Sequence, residues 1–371
     1  MKYYIIAGEA SGDLHGSNLI KELKKKDPEA DIRCWGGPLM QEAGAHLVKD
    51  YKDLAFMGFT EVVRNLPTIL RNIKFCKKDI EQFQPRTLIL IDYPGFNLRI
   101  AQWAKQKKIT VIYYISPQVW AWKESRVKTI RDCVDKMLVI LPFEKDFYKK
   151  WNYEVDYVGH PLVEEIDDFS KREQGPLFEN QAAKPIVAML PGSRQQEIMK
   201  KLPIMLEASK LFPDYQFVLA QAPGQDKSFY EGLIKNYPQV LSVYNQTYKL
   251  LLHADAACVT SGTATLETAL FGVPEVICYK GSTVSYQIAK RLIKVKYISL
   301  VNLIMDKPVA KELIQDDLTV ENLAHELREL LHDHEKRNKL KEEYKALKAI
   351  LSEGGHASAN AARIIVNYLA P

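Results

Sequence analysis

The opening stretch MKYYIIAGEASGDLHGSNLI (residues 1–20) decides how the rest of the chain is read. An apolar run, Tyr3 to Ala7, meets a loop from Gly8 to Gly16, and an apolar-periodic stretch begins at Leu14. That is the outline of a strand, a tight turn and a helix. The outline recurs. KYYIIA, TLILID, TVIYYIS and KMLVILP are strand-like in the first half, and PIVAMLPG, YQFVLAQ and AACVTSG in the second. Each run is short, rich in Ile, Val, Leu and Tyr, and nearly unbroken by polar residues, as central parallel strands covered on both faces should be. Helical patterns lie between them, including Leu98 to Lys107, Glu197 to Phe212 and Leu266 to Phe271. Alternating strands and helices predict an α/β protein with two doubly wound parallel sheets. The polar region 163–184, with Gly175 and Pro176, reads as the crossing between them.

Composition agrees. The 371 residues are comfortable for two domains, and 47% apolar with 26% charged residues is ordinary for a globular chain. A net charge of +5 suits anionic ligands or an anionic surface without predicting nucleic acid. The five cysteines, Cys34, Cys76, Cys133, Cys258 and Cys278, are scattered, so they read as buried thiols in a reducing compartment. No signal peptide and no apolar run of about 20 residues is visible, which predicts a cytoplasmic protein, soluble or peripherally attached.

In doubly wound folds ligands bind beyond the carboxyl ends of the strands. The opening turn lacks the G-x-G-x-x-G spacing, and DIRCWGG ends in glycine where a dinucleotide site wants an acid. Asp13 stands where a Walker loop needs lysine. Two readings of this turn remain: Gly8, Gly12 and Gly16 allow close packing, or the amides hold an anion or sugar hydroxyl. Asp92 ends an apolar run before Pro94 and Gly95, as a general base or as a helix cap. Trp120 and Trp122 follow another strand, with Lys123, Arg126 and Lys128 behind; they suit the wall of a sugar or lipid site, or the core. In VAMLPGSRQQE, Gly192 permits close approach, Ser193 can cap, and Arg194 follows at the helix mouth, a metal-free pyrophosphate site. In AACVTSGTATLE, Ser261, Gly262 and Thr263 suit phosphates, and Glu267, one turn on, suits ribose hydroxyls. Two phosphate-friendly strand ends place the nucleotide in the second half. The run His332–Asp333–His334 reads as a surface cluster, and no metal site is predicted.

Eight segments, AGEASGD, MGFTEV, SPQVWAWKESRV, LPFEKDFY, VGHPL, LPGSRQQEI, SGTATLE and YISLVNLI, occur in this order between Ala7 and about Ile314. Together they make the chain resemble the lipid-A-disaccharide synthases. The resemblance implies a GT-B fold, two Rossmann-like domains facing a central cleft. Residues 1–165 would form the acceptor and membrane side and 166–355 the UDP-sugar side, with a final helix, 356–371, returning to the first domain. It implies an inverting glycosyltransferase of lipopolysaccharide biosynthesis, needing no cofactor. Such enzymes transfer 2,3-diacylglucosamine from UDP-2,3-diacylglucosamine to 2,3-diacylglucosamine 1-phosphate, giving a β-1,6-linked disaccharide 1-phosphate and UDP. By position, Asp92 matches the family's essential aspartate, the proposed base. Arg194, Glu267 and Asn302 match the UDP side, with Gly192, Ser193 and Ser261 to Thr263 beside them. Gly8, Glu9 and Ser11 match the GEASGD loop, on the acceptor or sugar side with Met57 and Trp120. One position departs: the family often has D-x-P-D-F-N, and here Gly95 replaces the second acid.

Acylated substrates imply contact with the inner face of the inner membrane. Val62, Leu66, Ile69, Leu70 and Ile73 recur at helical spacing among Arg64, Arg71, Lys74, Lys77 and Lys78, the pattern of a basic interfacial helix. A similar stretch, Tyr286 to Lys296, is left open. A homodimer could form by exchange of the C-terminal segment. Alternatives on the same fold are a peptidoglycan-precursor N-acetylglucosamine transferase and a UDP-N-acetylglucosamine 2-epimerase; an inactive nucleotide-sugar binding module is a third.

Overall fold

The computed structural model describes residues 1–53, 66–122, 124–173, 175–178, 184–222, 224–282, 295–353 and 355–370. They form two compact units, Met1–Pro161 with Ser352–Pro371, and Leu162–Leu351.

The first unit is built on a parallel sheet of β1 (Lys2–Ala7), β2 (Asp31–Gly36), β3 (His46–Asp50), β4 (Thr87–Ile91), β5 (Thr110–Tyr114), β6 (Lys136–Val139) and β7 (Asp156–Tyr157), in the order 3-2-1-4-5-6-7. Side chains alternate across it, as the two-residue period of a strand requires. Tyr4, Ile6, Leu88 and Leu90 pack under the helices Leu66–Phe83, Pro94–Gln106 and Arg126–Cys133. Tyr3, Ile5, Ile89 and Ile91 pack on the other face, with the helices Ala10–Lys26 and Ala357–Leu369. The last helix meets the first through Ala357, Ala361, Ala362, Ile365 and Leu369, against Leu19, Ile20 and Leu23. Alanines at this seam let the backbones approach closely.

The second unit repeats the plan with β8 (Ile186–Leu190), β9 (Gln216–Gln221), β10 (Leu241–Tyr244), β11 (Ala254–Thr260), β12 (Glu275–Tyr279) and β13 (Lys311–Ile314), ordered 10-9-8-11-12-13 and parallel. Val187 and Met189 face one core, Ile186, Ala188 and Leu190 the other. Each sheet has one place where the strand order reverses, between β1 and β4 and between β8 and β11. There the loops leave toward opposite faces and open a crevice.

Several local expectations need correction. The opening turn is only Gly8 and Glu9, because the helix already begins at Ala10 and carries Gly12 and Gly16 within it. The region 163–184 does not begin as a linker: Pro161–Arg172 is a helix whose Leu162, Val163 and Ile166 enter the second core. The final helix runs from Ala357 to Leu369 rather than over 356–371; its N-cap is His356, and Asn360 within it donates to the Val158 carbonyl (3.2 Å). Asp333 breaks the charged C-terminal stretch into two helices, Val320–His332 and His334–Ser352.

Candidate active site

At the first reversal, Ala7 pairs in register with Ile91, so Gly8 and Asp92 leave the sheet side by side. Asp92 and Tyr93 both adopt left-handed backbone, φ +42° and +48°, and Ile115, at the end of the neighbouring strand, has φ +66°. Such conformations cost of order 1–3 kcal/mol each for residues with side chains and collect at functional sites. The structure holds them with named bonds. The Asp92 amide donates to the Ile115 carbonyl (3.3 Å), and the Asp92 carbonyl accepts from Asn97 Nδ2 (2.8 Å) and Tyr113 Oη (2.5 Å). The carboxyl is left facing the turn. Burial, then the nearby charge of Glu9, push it up to about 6, against the pull of the Tyr93 amide. Asp92 is not the helix cap. Tyr93 takes that position and Pro94 the first turn. Gly8 has a packing reason: a Cβ there would lie 2.3 Å from Tyr93 Cγ. Glu9 and Ser11 are exposed beside it.

The next strand ends hold a buried polar group that sequence reasoning missed. Glu144, inside LPFEKDFY, is fully buried and accepts from the Leu141 amide (3.0 Å). Burial pushes it up to about 8, against hydrogen bonds that include Leu141 and Ser116. Ser116 and Tyr148 hydroxyls lie 2.6 Å apart. Half-buried Trp120 stands edge-on to Phe143, centroids 5.0 Å apart. The only advance signal was two quoted segments with an ionisable residue in an apolar context.

At the second reversal, Leu190 pairs with Val259. Both turns rest on glycine in left-handed backbone, Gly192 at φ +117° and Gly262 at φ +130°. Ser193 does not cap; Arg194 occupies the N-cap of the helix Gln195–Ser209, its guanidinium exposed. Gly262 is the N-cap of Thr263–Leu270, exposed with Thr263, and Ser261 beside it is half-buried. Glu267 accepts from the Tyr248 hydroxyl (3.1 Å), and burial, with Glu165 nearby, pushes its carboxyl up to about 7. Asn302 is buried, its Nδ2 donates to the Ala310 carbonyl (2.8 Å) and Glu312 (3.0 Å), and its Oδ1 accepts from the Ala310 amide (2.9 Å). It ties its loop to β13.

The expected membrane residues separate. Met57 and Val62 lie outside the described residues, as does the Leu66 side chain and most of Tyr286 to Lys296. On the helix Leu66–Phe83, Ile73 is buried in the core with Cys76 and Ile80, and Ile69 packs against it. That stripe is core, because its spacing of three to four residues keeps it on the inner face. Leu70 and Phe75 are 53% and 47% exposed, among exposed Arg71, Lys74 and Lys78. Among the described residues no helix is long and apolar enough to cross a membrane, and no group of three or more His, Cys, Asp or Glu could hold a metal ion.

The two sheets, reversing once each with turns at both reversals, define a glycosyltransferase-type α/β fold, GT-B. Solved structures agree on the fold alone. A UDP-GlcNAc 2-epimerase from Neisseria meningitidis bound to UDP-GlcNAc matches with TM-score 0.68 at 14% identity, covering 100% of this chain and 99% of that one. The glycotransferase of kitacinnamycin matches with TM-score 0.67 at 16% identity and the same coverage. Sequence relatives then decide between the chemistries that share this fold. The family model for lipid-A-disaccharide synthetase matches residues 3–366. A lipid-A-disaccharide synthase of Syntrophus aciditrophicus is 41% identical over 360 residues, 95% of this chain and 94% of the relative. One of Geobacter metallireducens is 39% identical over 371 residues, 98% and 96%. The chain belongs to the lipid-A-disaccharide synthase family, and it is a hexosyltransferase of lipid A biosynthesis.

Proposed function

We propose that this protein is an inverting transferase that moves 2,3-diacylglucosamine from UDP-2,3-diacylglucosamine to 2,3-diacylglucosamine 1-phosphate. The products are the β-1,6-linked disaccharide 1-phosphate and UDP. The observation that carries this reading is Asp92: a partly buried carboxyl, held on left-handed backbone at a strand reversal, in a chain of this family. The acceptor 6-hydroxyl attacks the anomeric carbon as its proton passes to Asp92. The bond to the β-phosphate oxygen breaks from the opposite face, and UDP leaves with the electron pair. One displacement needs one carboxylate and inverts an α-linked donor to a β product. Arg194 and the amides of Ser261 to Thr263 neutralise the charge that UDP gains. Glu267 takes the ribose hydroxyls. Gly8, Glu9, Ser11 and Trp120 belong to the acceptor or sugar side.

The reading also puts the protein on the inner face of the inner membrane, as a peripheral cytoplasmic enzyme. Leu70 and Phe75, with Arg71, Lys74 and Lys78, supply two apolar contacts and three positive charges for an anionic surface. A homodimer formed by exchange of residues 356–371 is part of the same proposal; light scattering of a chain lacking them would test it.

Acceptor-dependent UDP release in detergent, with chelator present, tests the reaction directly. Release by the wild type and its loss in Asp92→Ala is the expected result. No release with either lipid sinks the substrate assignment. Release surviving in the variant keeps the reaction and removes Asp92 as base.

A further inference from the structure

Lysine is seldom fully buried, because an ammonium taken out of water needs compensating partners. Lys201 is 2% exposed. It lies on the helix Gln195–Ser209, one turn beyond Glu197, and neither the family motifs nor the turn residues drew attention to it. Its Nζ donates to Thr260 Oγ1, at the last residue of β11, immediately before the turn Ser261–Gly262–Thr263. It also lies 3.7 Å from Glu197 Oε2. Gly192, in the other turn of the same reversal, borders both groups: a Cβ there would be 2.9 Å from Glu197 Oε2 and 3.4 Å from Lys201 Nζ. Gly192 in one turn and Thr260, just before the other, therefore border one buried cation.

Glu197 bridges this cation to an exposed one. Its other oxygen is 3.4 Å from Arg194 Nη1. Charge-assisted hydrogen bonds between such groups usually close to about 2.7–2.9 Å, so the carboxylate serves two cations and fits neither well. Lys201 is better bonded to Thr260, and that bond has a further effect. With Oγ1 accepting from the ammonium, the Thr260 hydroxyl proton is left to donate elsewhere, polarised by the charge behind it.

We propose that Lys201 and Glu197 form an exchange pair for a nucleoside diphosphate. Lys201, acting through and beside Thr260, binds the diphosphate from within the unit, and Glu197 is the resident anion that the diphosphate displaces from Lys201 and Arg194. This rests on the reading that the second unit holds UDP. Glu197 keeps a buried cation neutralised while the site is empty, and it yields to a ligand that satisfies both cations with better geometry. The nucleoside alone carries no anion and gains nothing from the exchange.

Calorimetric titration of the full chain with UDP and with uridine tests this on the wild type, Lys201→Met and Glu197→Gln, with circular dichroism to check folding. Lys201→Met should weaken UDP by about tenfold or more, the effect of losing a charge-assisted bond, and leave uridine unchanged. Glu197→Gln should tighten UDP severalfold and leave uridine unchanged. Unchanged UDP binding in Lys201→Met, or weaker UDP binding in Glu197→Gln, overturns the proposal while UDP binding to the second unit stands. Absence of UDP binding in the wild type overturns that underlying reading itself. If Lys201→Met does not fold, the partly exposed Glu197→Gln decides alone.

Discussion

The two strand reversals share a topology and differ in who carries the left-handed backbone. In the first unit it falls on Asp92, Tyr93 and Ile115; in the second on Gly192 and Gly262. A side chain kept in that conformation costs energy, and three such residues meet at this one reversal. Asp92 offers a carboxylate, and Tyr93 fills the space that Gly8 leaves. Glycine adopts the conformation freely and removes its own bulk, which is useful where the backbone must meet a ligand closely. The charges differ in the same sense. Acids face the first turn, Glu9 beside Asp92, whereas cations flank the second, Arg194 and Lys201. Under the proposed function, one reversal takes a proton and the other holds an anion.

The sharpest way to break this contrast is Asp92→Asn. Asparagine tolerates left-handed backbone and keeps the shape, so only the base is lost. Turnover, read as UDP release, should fall by about 10²–10⁴-fold. A residual rate near wild type would end the assignment of a base to the first reversal. The pH profile comes next. With its carboxyl at about 6 in the free protein, Asp92 is protonated below that pH, and kcat/KM should drop about tenfold per unit on the acid side. The same shift bears on stability. An acid whose pKa is raised on folding holds its proton more tightly in the folded chain. Ionising it therefore costs stability as pH rises from about 4 to about 6, and the cost stays above 6. Thermal melts should show Asp92→Asn more stable than wild type at pH 8, with no gain at pH 4. On the other side of the comparison, Arg194→Ala should lower kcat/KM for the UDP donor by roughly tenfold, through kcat as well as KM, since its guanidinium is placed to meet both the bound diphosphate and the charge that UDP gains on leaving. Gly8→Ala should cost about 1–3 kcal/mol in denaturant unfolding, by forcing a methyl into the Tyr93 ring. The smallest effect is expected from Gly95→Asp. A Cβ at Gly95 meets nothing within 4 Å, and an acid in the first turn of Pro94–Gln106 gains a few tenths of a kcal/mol or more from the helix dipole. Unchanged activity would show that the second acid of D-x-P-D-F-N is dispensable here.

Most strands buried on both faces were legible, because a run such as TLILI can satisfy no other environment. β3, β7, β10, β12 and β13 were not. Four of these are sheet edges, and runs such as HLVKD and KELI are short and polar there, as edges can be. β12, EVICY, is interior, but its apolar run is only four residues long and opens on the buried Glu275. The turns were legible through their glycines and the charged residues after them. What periodicity could not supply was depth. Ile69 and Ile73 resemble a membrane stripe until the sheet beneath them is known, and Leu70 and Phe75 emerge as the outer pair only then. Asn302 matched a family position, yet its amide is used on Ala310 and Glu312, partners that only tertiary structure supplies. Lys201 escaped notice for a like reason: a lysine in a charged helix reads as solvated unless Thr260 is seen across the sheet.

The seam between the helices Ala10–Lys26 and Ala357–Leu369 sets a timetable for biosynthesis. A ribosome emits the first unit's sheet, then roughly 190 residues of the second unit, before the closing helix exists. At 5–20 residues per second that interval is about 10–40 s. Throughout it the core face that holds Leu19, Ile20 and Leu23 lacks its closing helix, a surface for a chaperone to occupy and one that a prematurely stopped chain would never close.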